Sequence, residues 1–304
     1  MQFIIKYMAK AMVKTMGTSG AESISVCANV FVGQTEAPLV IKPYIEKMTR
    51  SEILTLMTGG MATIAGGVMA AYVAILGGND VAHQTEVAIR LLTASLMAAP
   101  ATIVISKILL PESEHSVTMG KVEMEVEKNG SNVIEAAALG ASDGMQLAIN
   151  VAAMLLAFTA LITLLNFGAE KILTGYFGLT LNGNAVNLTS IIGFAFSGIG
   201  FLIGVPTQDL QAFGSLLGQK VILNEFVAYL GLAGVQSTLD PKTVFLATFA
   251  FCGFANLSSI AIQIGGIGAL APSKRSQIAK FGLKAVMAGS LSTLMTASIA
   301  GMYF

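Results

Sequence analysis

The sequence predicts an all-α, polytopic membrane protein with two re-entrant hairpins and two broken helices arranged in an inverted repeat. Of its 304 residues, 54% are hydrophobic and 11% charged, with a mean hydropathy of +0.75. That is too little charge for a soluble surface of this size. The apolar residues also fall into blocks that reach the roughly 20 residues a helix needs to cross a bilayer. No charge interrupts residues 53–79, 145–169, 243–273 or 285–304, and only Arg90 interrupts 87–106. A third observation, the way breaks recur within these blocks, predicts the repeat.

Residues 1–16 carry Lys6, Lys10 and Lys14 four apart with apolar residues between them. This is the pattern of an amphipathic helix on a membrane surface, and it lacks the plan of a cleavable signal. Residues 20–48 are apolar but interrupted by Gly33-Gln34 and Pro38, as two half-length helices meeting at a tip would be. Such backbone is tolerated at membrane depth only where protein or a watery cavity satisfies it. The charged stretch 42–52 leads into a span at 53–76, itself interrupted at Gly59-Gly60 and Gly66-Gly67. A polar turn at 77–85 then precedes a plain span ending near Pro111.

Residues 112–131 are charged and read as a solvated loop. Residues 133–147 look interfacial and run into a third span ending near Asn166, and 168–187, rich in Gly, Asn and Thr, form a connection. Residues 188–205 suit a short interfacial helix. From there the first pattern recurs. Residues 209–239 are interrupted at Gly218-Gln219 and Asn224-Glu225, 243–271 break near Gly253-Phe254-Ala255-Asn256, and 281–302 make the last span.

Residues 1–110 and 188–304 are therefore the two copies, and 111–187 hold the loop, an interfacial segment and one span between them. The first copy crosses twice and the middle span once, so the second copy starts on the opposite face. Short, Gly-interrupted segments at matching places in two halves point to the binding site of a secondary transporter. Most of the seventeen Lys and Arg lie on one face (residues 1–18, 42–52, 107–131 and 271–284), which is assigned to the cytoplasm. Lys171, Lys220 and Lys242 fall on the other.

Two carboxylates stand at membrane depth, Glu36 and Glu225, each in an interrupted segment and each beside amides able to complete a polar network. Such groups are costly and functional by default. Facing a cavity, they suit an uncharged polyhydroxylated ligand, since a carboxylate accepts from sugar hydroxyls. The plainer alternative is that they tie helix ends together. Asn256, Ser258 and Ser259 follow the second break and Thr63 takes the matching place in the first, where side chains and freed carbonyls can hold a small hard cation.

Other chemistries are excluded. Zero net charge gives no reason to expect nucleic acid. His83 and His115 are isolated, and Glu112, Glu114 and His115 read as solvated charges. Cys27 and Cys252 read as packing residues. No nucleophile–base set appears, so the chain is not read as an enzyme.

Several of these motifs closely resemble the concentrative nucleoside transporter family. They are Lys14-Thr-Met-Gly-Thr-Ser-Gly-Ala-Glu-Ser23 with Gly33-Gln-Thr-Glu-Ala-Pro-Leu39, Met57-Thr-Gly-Gly-Met-Ala-Thr-Ile-Ala-Gly66, Gly140-Ala-Ser-Asp-Gly144, Leu223-Asn-Glu-Phe-Val-Ala-Tyr229 and Gly253-Phe-Ala-Asn-Leu-Ser-Ser-Ile260. The resemblance implies a nucleoside of the uridine, cytidine or adenosine class held between two hairpin tips and two broken helices. Gln34, Thr35 and Glu36 would then face the base with Val68 beside it. Glu225, Asn256 and Ser259 would take the ribose, and Phe254 would line the pocket. A coupling sodium would meet the backbone carbonyls of Asn29, Val32 and Ile64 and the hydroxyl of Thr63, where the family more often carries Ser. Some bacterial members couple to protons instead.

The resemblance further implies an elevator-like movement, a multi-pass place in the cell inner membrane and, in the full-length family form, a homotrimer. Family members have about three more helices ahead of the point matching Met1, largely scaffold. Two readings therefore stand: a nucleoside symporter, and a truncated fragment that binds nucleoside without transporting it.

Overall fold

The computed structural model describes residues 2–120, 132–181 and 184–304. Residues 121–131 of the expected loop and the side chain of Asp143 lie outside the described residues. The first helix, α1 (Gln2–Met16), buries Ile5, Ala9 and Met12 and leaves Lys6, Lys10 and Lys14 exposed. Its buried stripe packs on α2 (Gly20–Asn29), the first limb of a hairpin. A capping box starts α2: Ser19 Oγ accepts from the Glu22 N–H, and Glu22 Oε1 accepts from the Ser19 N–H at 2.8 Å.

The tip at residues 30–36 is not helical. The returning limb is a 3₁₀ turn, Ala37–Ile41, followed by one helical turn, α3 (Lys42–Ile45). Two full half-helices were expected here. Pro38 and Pro43, which donate no backbone hydrogen bond, shorten the second.

A second capping box, Thr49 with Glu52, starts α4 (Arg50–Ala62), and α5 (Gly66–Gly77) continues the same span after a break at residues 63–65. The break lies between the two glycine pairs rather than at either. Thr63 is extended, and its hydroxyl donates back to Gly59 O at 2.9 Å, closing the end of α4. The first pair serves close packing instead: a Cβ on Gly60 would come 2.8 Å from both Gln34 Cβ and Gln263 Nε2.

The plain span is α6 (Val81–Leu109), capped by Asp80, so the polar run 82–86 opens a helix instead of forming a turn. The next helix, α7 (Val133–Glu170), runs without a break through the expected interfacial segment and the span it was expected to run into. A π-helical turn, Lys171–Tyr176, and a two-residue ladder, β1 (Thr180–Leu181) with β2 (Asn184–Ala185), lie in the expected connection.

The second hairpin is α9 (Leu210–Ile222) with α10 (Glu225–Val235), and α8 (Leu188–Leu202) lies along α9. Its break is Leu223-Asn224 alone, where Asn224 caps α10 by accepting from the Val227 N–H at 3.0 Å. Gly218-Gln219 is no break but part of α9, where a Cβ on Gly218 would collide with Ile192 Cγ2 of α8. Gly218→Val is expected to lower stability by about 1–3 kcal/mol through this overpacking, read as a lower thermal unfolding midpoint. Ile192→Ala in the same chain should return most of the loss; no recovery would place the fault elsewhere. Lys220, assigned from the sequence to the outer face, is fully buried on α9 because the hairpin turns inward there.

The second broken span is α11 (Pro241–Ala250) and α12 (Leu257–Leu270), followed by α13 (Arg275–Gly301), which packs on α4, α6, α11 and α12. Among the described residues, three helical stretches are long and apolar enough to cross a membrane: Arg50–Gly77, Val81–Leu109 and Pro272–Gly301. The buried apolar side chains form two clusters. One gathers hairpin 1, α4 and part of α13 around Ile24, Ile53, Met57 and Phe281. The other gathers hairpin 2, α5, α6 and α11 around Tyr72, Phe213, Tyr229 and Phe251. The chain passes from one cluster to the other at both breaks: Met61 and Ala255 belong to the first, Ile64 and Cys252 to the second.

A polar network anchors the start of hairpin 1. Lys107 Nζ lies 2.8 Å from Glu22 Oε2, an ion pair by distance without hydrogen-bond alignment, and 3.4 Å from Glu112 Oε2. Thr118 O accepts from the Gly20 N–H, and Ser116 Oγ donates to Glu52 Oε1. Partial burial acts to raise the Glu112 pKa. Hydrogen bonds from the Thr49 hydroxyl and the Glu114 N–H, together with Lys107, outweigh it and hold the group below the usual carboxylate range.

Candidate functional site

The two breaks cross. Phe254 N–H donates to Thr63 O at 3.3 Å, and a Cβ on Gly253 would stand 2.8 Å from Met61 O and 2.9 Å from Ala62 O. Only a residue without a side chain lets these two backbones meet at that distance. Each break frees backbone groups that a regular helix would use, and the tips of both hairpins approach the crossing.

From the second half come Glu225, the first residue of α10, and Asn256, the N-cap of α12. Both are buried, and Asn256 Nδ2 donates to Glu225 Oε2 at 3.1 Å. Asn256 cannot turn its amide round. Its Oδ1 accepts from the Ser259 N–H at 2.8 Å and from Ser258 Oγ at 2.7 Å, so its nitrogen must face the carboxylate. Tyr72 of α5 donates to the other oxygen, Glu225 Oε1, at 2.8 Å. Glu225 is thus held by a donor on each oxygen and keeps lone pairs for a ligand's hydroxyl groups. Lys220 is buried in the last turn of α9, just across the hairpin tip from Glu225, and its ammonium has no hydrogen-bond partner among the described residues.

From the first hairpin comes Gln34, buried at the tip. It donates through Nε2 to Ser259 Oγ at 3.3 Å and accepts through Oε1 from Gln263 Nε2 at 3.1 Å. Ser259 therefore touches both groups expected from the sequence, the hairpin-1 residues and the Glu225–Asn256 pair. Thr35 and Val68 are half-buried, as is Phe254. Glu36 is exposed, its carboxylate folded back against Gly33. The polar network expected around it is absent among the described residues, because its neighbour Gln34 turns inward to Ser259 and Gln263 instead.

Of the residues expected to hold a cation, Asn29 and Thr63 both meet Gly59. The Asn29 side chain lies beside Gly59, whose carbonyl accepts from the Thr63 hydroxyl. Gly66 N–H donates to Phe31 O at 3.3 Å, pinning the hairpin-1 tip to the start of α5. Asn29 Oδ1 and Ser25 Oγ are buried and have no hydrogen-bond partner among the described residues. These unpartnered oxygens are neutral, and no cluster of His, Cys, Asp or Glu that could hold a metal occurs among the described residues, a donor chemistry that suits a monovalent hard cation. Thr63 closes the first half-span whereas Asn256 opens the second, so the two are not in matching places as the sequence suggested.

Sequence reasoning missed Tyr72, Lys220 and Gln263. Tyr72 and Gln263 sit in apolar helical runs with no motif to single them out. Lys220 was visible as a charge inside an apolar segment, the signal that had selected the two glutamates.

The chain is similar to several known proteins. Residues 90–301 match the family described as Na+ dependent nucleoside transporter C-terminus, and residues 1–79 match one described as nucleoside recognition. The uncharacterized transporter YutK of Bacillus subtilis is 48% identical over 100% of this chain and 72% of its own length. The nucleoside permease NupC of Helicobacter pylori is 41% identical over 100% and 70%. Sodium/nucleoside cotransporter 1 of Rattus norvegicus is 37% identical over 100% of this chain and 47% of its own. CNTnw in an inward-facing substrate-bound state superposes with a TM-score of 0.88 at 44% identity, covering 99% of this chain and 69% of that one. A CNTnw variant in an outward-facing state gives 0.86 at 43%, covering 99% and 68%. Another variant of that protein is solved in intermediate states.

Proposed function

Because the chain belongs to the concentrative nucleoside transporter family, we propose that it is a secondary active carrier that brings nucleosides into the cytoplasm together with sodium. The family consists of integral membrane transporters, not enzymes. In this reading Glu225, Asn256 and Ser259 take the ribose, with Phe254 lining the pocket. Gln34, Thr35 and Glu36 face the base beside Val68. The observation that carries the reading is the fixed polarity around Glu225. Two donors, one of them unable to turn, hold a carboxylate that offers only acceptors to the ligand, and a vicinal diol offers the matching pair of donors.

Sodium coupling is supported by the neutral oxygens of Asn29 and Thr63, which both meet Gly59, and by the cotransporter among the relatives. Asn29, Val32, Thr63 and Ile64 are the assigned ligands, the first two and the last through backbone carbonyls. An elevator-like movement is supported by the different states in which CNTnw has been solved. We place the carrier in the cell inner membrane as a homotrimer in its full-length form, with residues 1–110 and 188–304 as the two repeats.

The test is uridine uptake by the purified chain in liposomes, with inward gradients of sodium and of protons applied separately. Uptake driven by sodium alone is expected. Uptake driven only by protons replaces the coupling ion. Tight uridine binding in detergent without uptake under either gradient makes the chain a binding fragment.

A further inference from the structure

We propose that Gln263 fixes the direction in which Gln34 faces the ligand, so that Gln34 can only donate. The inference rests on the nucleoside reading and adds to it the chemical feature by which the base is chosen. Gln263 is fully buried on α12 and is a positioning residue rather than a ligand contact.

Met57 O can only accept, and Gln263 Nε2 lies 2.9 Å from it. The amide nitrogen of Gln263, not its oxygen, must therefore sit at that place. The same nitrogen has a second N–H, directed at Gln34 Oε1 at 3.1 Å. Turning Gln34 round would set nitrogen against nitrogen, so its carbonyl has to face Gln263. Its own nitrogen then faces Ser259 Oγ at 3.3 Å, with one N–H engaged there and one left over.

A main-chain carbonyl thus dictates the orientation of both amides through two links. Reversing Gln263 would put its oxygen against two acceptors. The orientation present leaves only Gln263 Oε1 without a partner among the described residues. Gly60 lets the two side chains pack this closely against α4: a Cβ there would come 2.8 Å from Gln263 Nε2 and from Gln34 Cβ.

A donor at this place selects a base that offers an acceptor. Uracil presents a carbonyl oxygen at position 4 where cytosine presents an amino group. With ring position 4 set against this donor, the site prefers 4-oxo bases such as uracil over 4-amino bases such as cytosine, and Gln263 sustains that preference from outside the pocket.

The experiment measures uridine and cytidine affinities by calorimetry for the whole chain in detergent. The parent protein should bind uridine about five- to tenfold more tightly than cytidine, the value of one neutral hydrogen bond. Gln263→Leu removes both donors and frees Gln34 to turn, so the ratio should fall to within about twofold of one. Gln34→Met deletes the donor without touching Met57 and should bring the same collapse, which guards against a Gln263 variant that folds poorly. A purely structural role would weaken both nucleosides equally. An unchanged ratio in both variants, or a parent with no preference, overturns the inference. A parent that binds neither nucleoside refutes the nucleoside reading itself, a result distinct from binding without preference.

Discussion

Glu225→Gln is expected to weaken uridine roughly ten- to a hundredfold while weakening 2′,3′-dideoxyuridine far less, because a hydrogen bond to a charged group is worth about 1.5–3 kcal/mol. The structure indicates how the replacement amide would settle. Asn256 is locked with its nitrogen outward by the Ser259 N–H and the Ser258 hydroxyl, so the new oxygen must face Asn256. The new NH2 group then faces Tyr72, whose hydroxyl can rotate from donor to acceptor. The pocket keeps its shape and its inner hydrogen bonds. A sugar that met acceptors on both sides now meets a donor on one. The dideoxy ligand has no hydroxyl there to lose, which is why the comparison reads recognition and not folding. Equal losses for the two ligands would remove Glu225 from the sugar site.

How much of this was legible beforehand depends on what each feature needs. Burial of a carboxylate in an apolar run is a local property, so Glu225 could be found from its neighbours alone. The break at Gly253-Phe254-Ala255-Asn256 was equally plain, because an N-cap residue follows a glycine there. The break of the first span was misplaced. Glycine pairs resemble interruptions in sequence, yet Gly59 and Gly60 sit inside α4 and serve contacts to Asn29, Gln34 and Gln263. Those partners come from distant parts of the chain, and no local pattern announces them. Gly218 misled in the same way, since Ile192 is what requires it. Tyr72 and Gln263 were invisible for a related reason. Each acts through partners more than 150 residues away along the chain, and only the folded backbone puts them together. Glu36 shows the converse case. Its place in a conspicuous polar motif suggested a network, but the network formed around Gln34.

Sodium and nucleoside should each raise the other's affinity by one common factor, because coupling between binding sites is reciprocal. Couplings of this kind usually amount to about 5–150-fold. The structure offers a short path for it. Thr63 closes α4, its carbonyl accepts from Phe254 N–H in the second break, and Gly66 at the start of α5 holds the hairpin-1 tip that carries Gln34. An ion drawing Asn29, Val32, Thr63 and Ile64 together would fix that tip, and so remove an ordering cost the nucleoside otherwise bears. Thr63→Val keeps the side-chain shape and deletes the hydroxyl, so the common factor should shrink toward one. Thr63→Ser keeps the hydroxyl and should retain it. The second variant matters because the hydroxyl also donates to Gly59 O; valine loses that bond as well, whereas serine loses neither. Calorimetric titrations of uridine in sodium and in choline buffer, and of sodium with and without uridine, supply both arms. If uridine affinity in the parent chain is the same in sodium and choline, the ion at the first break is not sodium, and proton coupling takes its place.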